Sequence, residues 1–91
     1  MEDVETTEVA MPSTEEIKNW KRNDVTKFLD NMKGVLDLDN EDIQIIAKQK
    51  VAGQAFLELA TLDLERWGMA GGPAITITKL IKEIKGEDQG N

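Results

Sequence analysis

The sequence predicts an all-α domain: a compact bundle of five helices, the last one the longest, behind a disordered acidic N-terminal tail. Three observations predict it. Apolar residues recur at helical spacing in one segment after another, and no strand-like alternation is long enough to compete. Ninety-one residues suffice for one domain with a modest core. Acidic side chains crowd one end, where apolar periodicity is missing.

That end is residues 1–16, MEDVETTEVAMPSTEE, with Glu2, Asp3, Glu5, Glu8, Glu15 and Glu16, no Lys or Arg, and a charge of −6. The other 75 residues hold 12 acidic and 11 basic side chains, so the overall −7 leaves only −1 for the domain. The expected division is a tail over 1–16, a helical domain over 17–86 and a short flexible end over 87–91. The tail reads as a solvated leader. As a functional element it would shield a basic surface or carry phosphate on Thr6, Thr7, Ser13 or Thr14.

Within the domain, Trp20 closes the N-terminal segment as a core anchor. Val25, Phe28, Leu29 and Met32 follow i, i+3, i+4, i+7, the stripe of a helix buried on one face. Asn23 or Asp24 supplies its capping oxygen, and Gly34 is its expected stop. A second helix starts from Asp39 or Asn40 and turns Ile43, Ile46 and Ala47 inward. Gly53 is read as a tight turn before a third, short helix built around Phe56, Leu57 and Leu59. Thr61 is read as the cap of a fourth helix, with Leu64 and Trp67 inward. The GMAGGP cluster separates it from the last helix. Pro73 suits that helix's first turn, because its missing N–H costs nothing there. Ile77, Leu80, Ile81 and Ile84 form the inner face, and Lys79, Lys82 and Lys85 favour the negative end. The ITIT alternation at 75–78 is too short to make a strand.

Composition removes several kinds of chemistry. With no Cys and no His, the chain lacks disulfides, the usual zinc sites and Cys-His or Ser-His-Asp catalysis. No run of 18 apolar residues and no basic, apolar leader occurs, so neither a membrane span nor a signal peptide is expected. The protein is expected inside the cell, in cytoplasm or nucleus. GMAGGPA superficially resembles a phosphate-cradling loop, but no GK[ST] follows it and no strand precedes it. No EF-hand spacing is present. The expectation is no enzyme, no cofactor and no metal.

The order of these features resembles the sterile alpha motif (SAM) domain family. The resemblance rests on Trp20, Asp24-Val25 and Phe28-Leu29, then on Val51-Ala52-Gly53, Phe56-Leu57, Leu59, Asp63-Leu64 and Trp67-Gly68-Met69, held without a gap over 51–69. The family's long last helix corresponds to Gly72 through Lys85. Three departures from its pattern stand out. Ala52 replaces an acidic residue and removes a helix cap. Ala60 stands where a capping Thr is common. Pro73, Ala74 and Ile75 occupy places where Arg or Lys is common.

The resemblance implies a five-helix fold and a non-catalytic protein–protein interaction module in a signalling, scaffolding or regulatory protein. Its members commonly associate head to tail, a mid-loop surface meeting an end-helix surface. On this chain the mid-loop surface would be Glu58, Asp63 and Glu65, with Asp37, Asp39, Glu41 and Asp42 upstream. The end-helix surface would be Gly71, Gly72, Pro73, Ala74, Ile75 and Lys79. Each acidic residue also has the ordinary reading of a solvated face. Ile75 is either an outward contact anchor or tucked against the fourth helix and Met69. The partner would be another SAM-type domain, of the same or a different protein, and a head-to-tail oligomer is one version.

The second reading is nucleic acid, since some family members bind RNA hairpins and WGMAGGPA is loosely similar to a helix-hairpin-helix turn. Phosphate binding needs clustered cations. Lys18, Lys21, Arg22 and Lys27 are available, with Lys79, Lys82 and Lys85 further on. The glycine turn, however, has no basic side chain between Arg66 and Lys79, and the acidic tail would compete. Nucleic acid is therefore the lesser expectation, and a membrane surface a lesser one still.

Overall fold

Ser13 and Glu16 cap each other and start the first helix. The Glu16 N–H donates to Ser13 Oγ at 3.1 Å, and the Ser13 N–H donates to Glu16 Oε1 at 3.2 Å. This helix, α1 (Thr14–Lys18), begins inside the stretch expected to be tail, so the described chain has six helices rather than five. The structure is a computed structural model that describes residues 12–86. The remainder of the expected tail, to Met11, and the end from Glu87 lie outside the described residues.

α2 (Arg22–Leu36) carries the predicted stripe, with Val25 and Leu29 fully buried. Its cap is Lys21, not Asn23 or Asp24. Asp24 acts from the third helical position, where its carboxylate accepts the Lys21 N–H at 2.9 Å. Gly34 is not the stop: the helix runs two residues further and ends at Asp37, which takes the left-handed conformation at φ 58°. Leu36 packs against the core, which rewards the extra half turn. Lys33 ties this end to the next helix, its ammonium 2.7 Å from Asn40 Oδ1 and 3.2 Å from Asp30.

α3 (Asn40–Lys48) follows from the cap Asp39, with Ile43 and Ile46 buried and Ala47 partly so. α4 (Gly53–Leu57) has Ala52 as a cap without a side-chain hydrogen bond, the consequence expected of an alanine there. Gly53 is not a turn but the first residue of α4, fully enclosed. Its N–H donates to the Trp20 carbonyl at 3.1 Å, and a Cβ on it would overlap the carbonyl oxygen of Ile17. The residue is glycine because two backbones meet there.

α5 (Thr61–Arg66) is capped by Ala60, not Thr61. The Asp63 carboxylate accepts the Ala60 N–H at 3.0 Å. Thr61 instead donates its hydroxyl to Thr78 Oγ1 at 3.0 Å, and Thr78 donates to the Ala74 carbonyl at 2.8 Å. Gly68, at φ 102°, turns the chain out of α5. α6 (Gly71–Lys85) opens one residue earlier than expected and packs along α5, while α2 packs on α3 and α1 on α4.

The core collects Ile17, Val25, Leu29, Phe56, Leu64, Ile77 and Ile81 from five of the helices, with Ile46 from α3. Leu57 is buried beside them; Trp20, Phe28, Leu59, Trp67 and Ile84 are partly buried against this centre. Phe28 links the N-terminal segment to α4, its ring 5.3 Å from Trp20 and 6.4 Å from Phe56, the latter edge to face. Leu38, Val51 and Met69 also belong to the core, each supplied by a segment between helices. At the far end the Lys85 ammonium donates to the Leu57 carbonyl at 3.0 Å, covering an open acceptor at the end of α4.

The two internal glycines predict opposite outcomes. Gly53→Ala forces the Ile17 and Gly53 backbones apart and is expected to destabilise the fold by about 3 kcal/mol. Gly34→Ala meets open space within α2 and is expected to stabilise it by about 0.5–1 kcal/mol. Urea unfolding of the two variants beside the parent measures both.

Candidate functional site

The two expected surfaces are built on α4, α5 and the first turns of α6. Glu58 caps the C-terminal end of α4 and is exposed. Asp63 is half-buried, one carboxylate oxygen already accepting the Ala60 N–H. Glu65 is exposed, and its Oε2 lies 3.6 Å from the position a Cβ on Gly71 would take. Glu65, expected on the mid-loop side, therefore stands beside the positive end of α6. The structure brings Glu65 to the end-helix side.

At that end, the cap Ala70 gives α6 no side-chain hydrogen bond. Gly71 and Gly72 are exposed and supply amides without intrahelical partners, while Pro73 has no N–H. The next amide, of Ala74, already donates to the Ala70 carbonyl. Ala74 itself was expected on this surface and is fully buried instead, because the helix turns position 74 onto the same face as Ile77, Thr78 and Ile81. Ile75 is outward and 51% exposed, and Lys79 is exposed one turn on.

Upstream, the acidic residues divide. Asp39 and Asp42 cap each other across the start of α3, each N–H donating to the other's carboxylate at 3.1 Å. Asp42 is buried, and burial, the first cause, pushes its carboxyl above the usual aspartate range. The Asp39 N–H pulls the other way, while the Asp39 and Glu41 charges add to the rise. Asp37 and Glu41 remain exposed. Among the cations, Lys18, Lys21, Arg22 and Lys27 are exposed around the α1–α2 junction, and Lys79 and Lys82 on α6. Lys85 is withdrawn from the distal group by its bond to Leu57.

Two exposed apolar residues were not singled out from sequence. Leu62, 57% exposed, lies one position off the Leu64–Trp67 stripe of α5. Val35, 79% exposed, was hidden by the expected stop at Gly34. Val35 helps line a shallow groove of ≈ 350 Å³ between α2 and α6, together with Met32, Leu36, Leu80, Lys79 and Glu83. Among the described residues no group of three or more Asp or Glu is arranged to hold a metal ion. No described helix is long and apolar enough to cross a membrane.

The buried Asp42 sets a pH test. Its folded carboxyl holds a proton to higher pH than the unfolded one, so the folded state loses stability as pH rises from the unfolded value of 3.8 through the folded one. Asp42→Asn keeps an oxygen for the Asp39 N–H and removes the titration. The variant is expected to gain stability relative to the parent between pH 3 and pH 7, followed by urea unfolding at each pH; a pH-independent difference contradicts it.

Comparison with known proteins agrees with this architecture. A family model described as SAM-like domain matches residues 2–83. No curated protein and no solved structure matches the chain. All the described elements fall within or at the edge of the matched span, and the chain belongs to the SAM-like domain family, a family of protein-interaction modules.

Proposed function

We propose that this domain binds a second SAM-type domain, its own copy or that of another protein, by head-to-tail contact. Glu58 and Asp63 present the mid-loop side. Gly71, Gly72, Pro73, Ile75 and Lys79 present the end-helix side. One observation carries the reading: α6 starts with two exposed glycine amides and no side-chain cap, with a half-exposed isoleucine one turn along. An acidic partner surface satisfies the amides and the helix dipole, and covers Ile75.

The energies are small. Covering the rest of Ile75 contributes about 1 kcal/mol, and each rim charge pair about 0.2–1 kcal/mol. Association of this kind depends on concentration and weakens with salt. Glu65, beside Gly71, shapes the end-helix side rather than the partner's footprint. Binding of an RNA hairpin is the second reading; it rests on the exposed Lys18, Lys21, Arg22 and Lys27, whose position is distant in sequence from the glycine turn.

The informative variants are Glu58→Lys and Ile75→Glu, since neither side chain makes a hydrogen bond that holds the fold, whereas Asp63 supports the α5 cap. Sedimentation velocity across a wide concentration range is expected to show salt-sensitive, open-ended growth of the parent. Both variants are expected to remain monomeric with parental helicity. Variants that associate like the parent contradict the assigned surfaces; a strictly monomeric parent removes self-association and leaves the partner on another protein.

A further inference from the structure

We propose that Leu62 belongs to the end-helix side and forms with Ile75 a two-residue apolar anchor, which a second copy of this domain covers with its mid-loop side. The inference rests on the head-to-tail reading and extends it from α6 to α5. Leu62 and Ile75 are 57% and 51% exposed. Two contacts tie their helices together: the Thr61 hydroxyl donates to Thr78 Oγ1 at 3.0 Å, and Glu65 Oε2 stands beside Gly71. Leu62 lies between Thr61 and Glu65 on α5, and Ile75 lies between Gly71 and Thr78 on α6. The two side chains therefore flank one seam, between helices whose axes pack about 8–10 Å apart. Leu64 and Trp67 turn the other side of α5 inward, which leaves Leu62 toward solvent. Asp63, its neighbour in sequence and a mid-loop candidate, is turned about 100° away around the helix.

The occupant is set by charge. One helical turn beyond Leu62 stands Arg66, and one turn beyond Ile75 stands Lys79, with Lys82 on the same side of α6. All three are exposed, and none forms an ion pair among the described residues. Against them this face sets one exposed carboxylate, Glu65. Each helix thus presents an apolar residue followed by a cation, and the uncapped start of α6 adds its partial positive charge. Two copies of this face repel each other, which works against a like-to-like pair and favours an acidic counterpart. The mid-loop side of a second copy brings such a charge in the exposed Glu58.

The test is sedimentation velocity on full-chain variants, with Leu62→Glu set against Glu58→Lys and Ile75→Glu and circular dichroism as the check on helicity. Leu62→Glu alone is expected to be monomeric with parental helicity. Mixed with Glu58→Lys it is expected to give a one-to-one dimer, because its mid-loop side and the other variant's end-helix side are intact. Mixed with Ile75→Glu it is expected to stay monomeric, since both variants lack the same side. Leu62→Ala, which adds no charge, is expected to weaken association about five- to tenfold. The opposite pairing, a dimer with Ile75→Glu and none with Glu58→Lys, places Leu62 on the mid-loop side and overturns the proposal. Parental association of Leu62→Glu or Leu62→Ala while Ile75→Glu is monomeric also overturns it, and leaves the head-to-tail reading standing. A parent that is monomeric throughout overturns this inference and self-association together.

Discussion

The fold turns on the place where the backbone of α1 meets the start of α4. Gly53 has no room for a Cβ, because the Ile17 carbonyl occupies that space, and its N–H is bonded to Trp20. This one contact fixes the N-terminal segment, orients Trp20 toward Phe28 and through it Phe56, and seats α4 in the bundle. The last carbonyl of α4 is then within reach of Lys85, near the end of α6. Glu58 follows directly on α4, so the position of a candidate partner contact is set by packing that begins forty residues upstream.

The acidic side chains show how little a charge count says about a surface. Glu16, Asp24, Asp39, Asp42 and Asp63 each accept a backbone N–H at the start of a helix. These carboxylates are spent on helix starts. Among the described residues, two helices lack side-chain caps of any kind. The buried α4 compensates through the Gly53–Trp20 bond, whereas α6 leaves its first amides toward solvent. That asymmetry separates a helix start that serves the core from one available to a partner.

Much of the architecture was legible in the sequence because it rests on period. The stripes of α2, α3 and α6, and the gapless spacing from Val51 to Met69, report burial on one face, and burial is what the pattern encodes. What escaped depends on distant partners or on local competition. The Ser13–Glu16 capping box was present in the sequence, but the acidic run around it favoured a tail reading. Gly34 looked like a stop, yet Leu36 had core to cover and Asp37 could take the left-handed turn. The backbone contact of Gly53, the Lys85 bond to Leu57 and the nearness of Glu65 to Gly71 are tertiary facts with no local signal. The sequence pointed to candidate regions without deciding which of their residues face outward. One position of helical phase decides that Ile75 is exposed and Ala74 is buried.

The central claim is that two different surfaces of the domain meet each other, and it is tested most directly by mixing. Glu58→Lys blocks the mid-loop side and leaves the end-helix side intact; Ile75→Glu does the reverse. Sedimentation velocity of the two variants, alone and in equal amounts, is the measurement. The account predicts monomers when they are separate and a one-to-one dimer that grows no further when they are combined, because only one complementary pair of surfaces remains. A mixture that stays monomeric under conditions where the parent associates would contradict it.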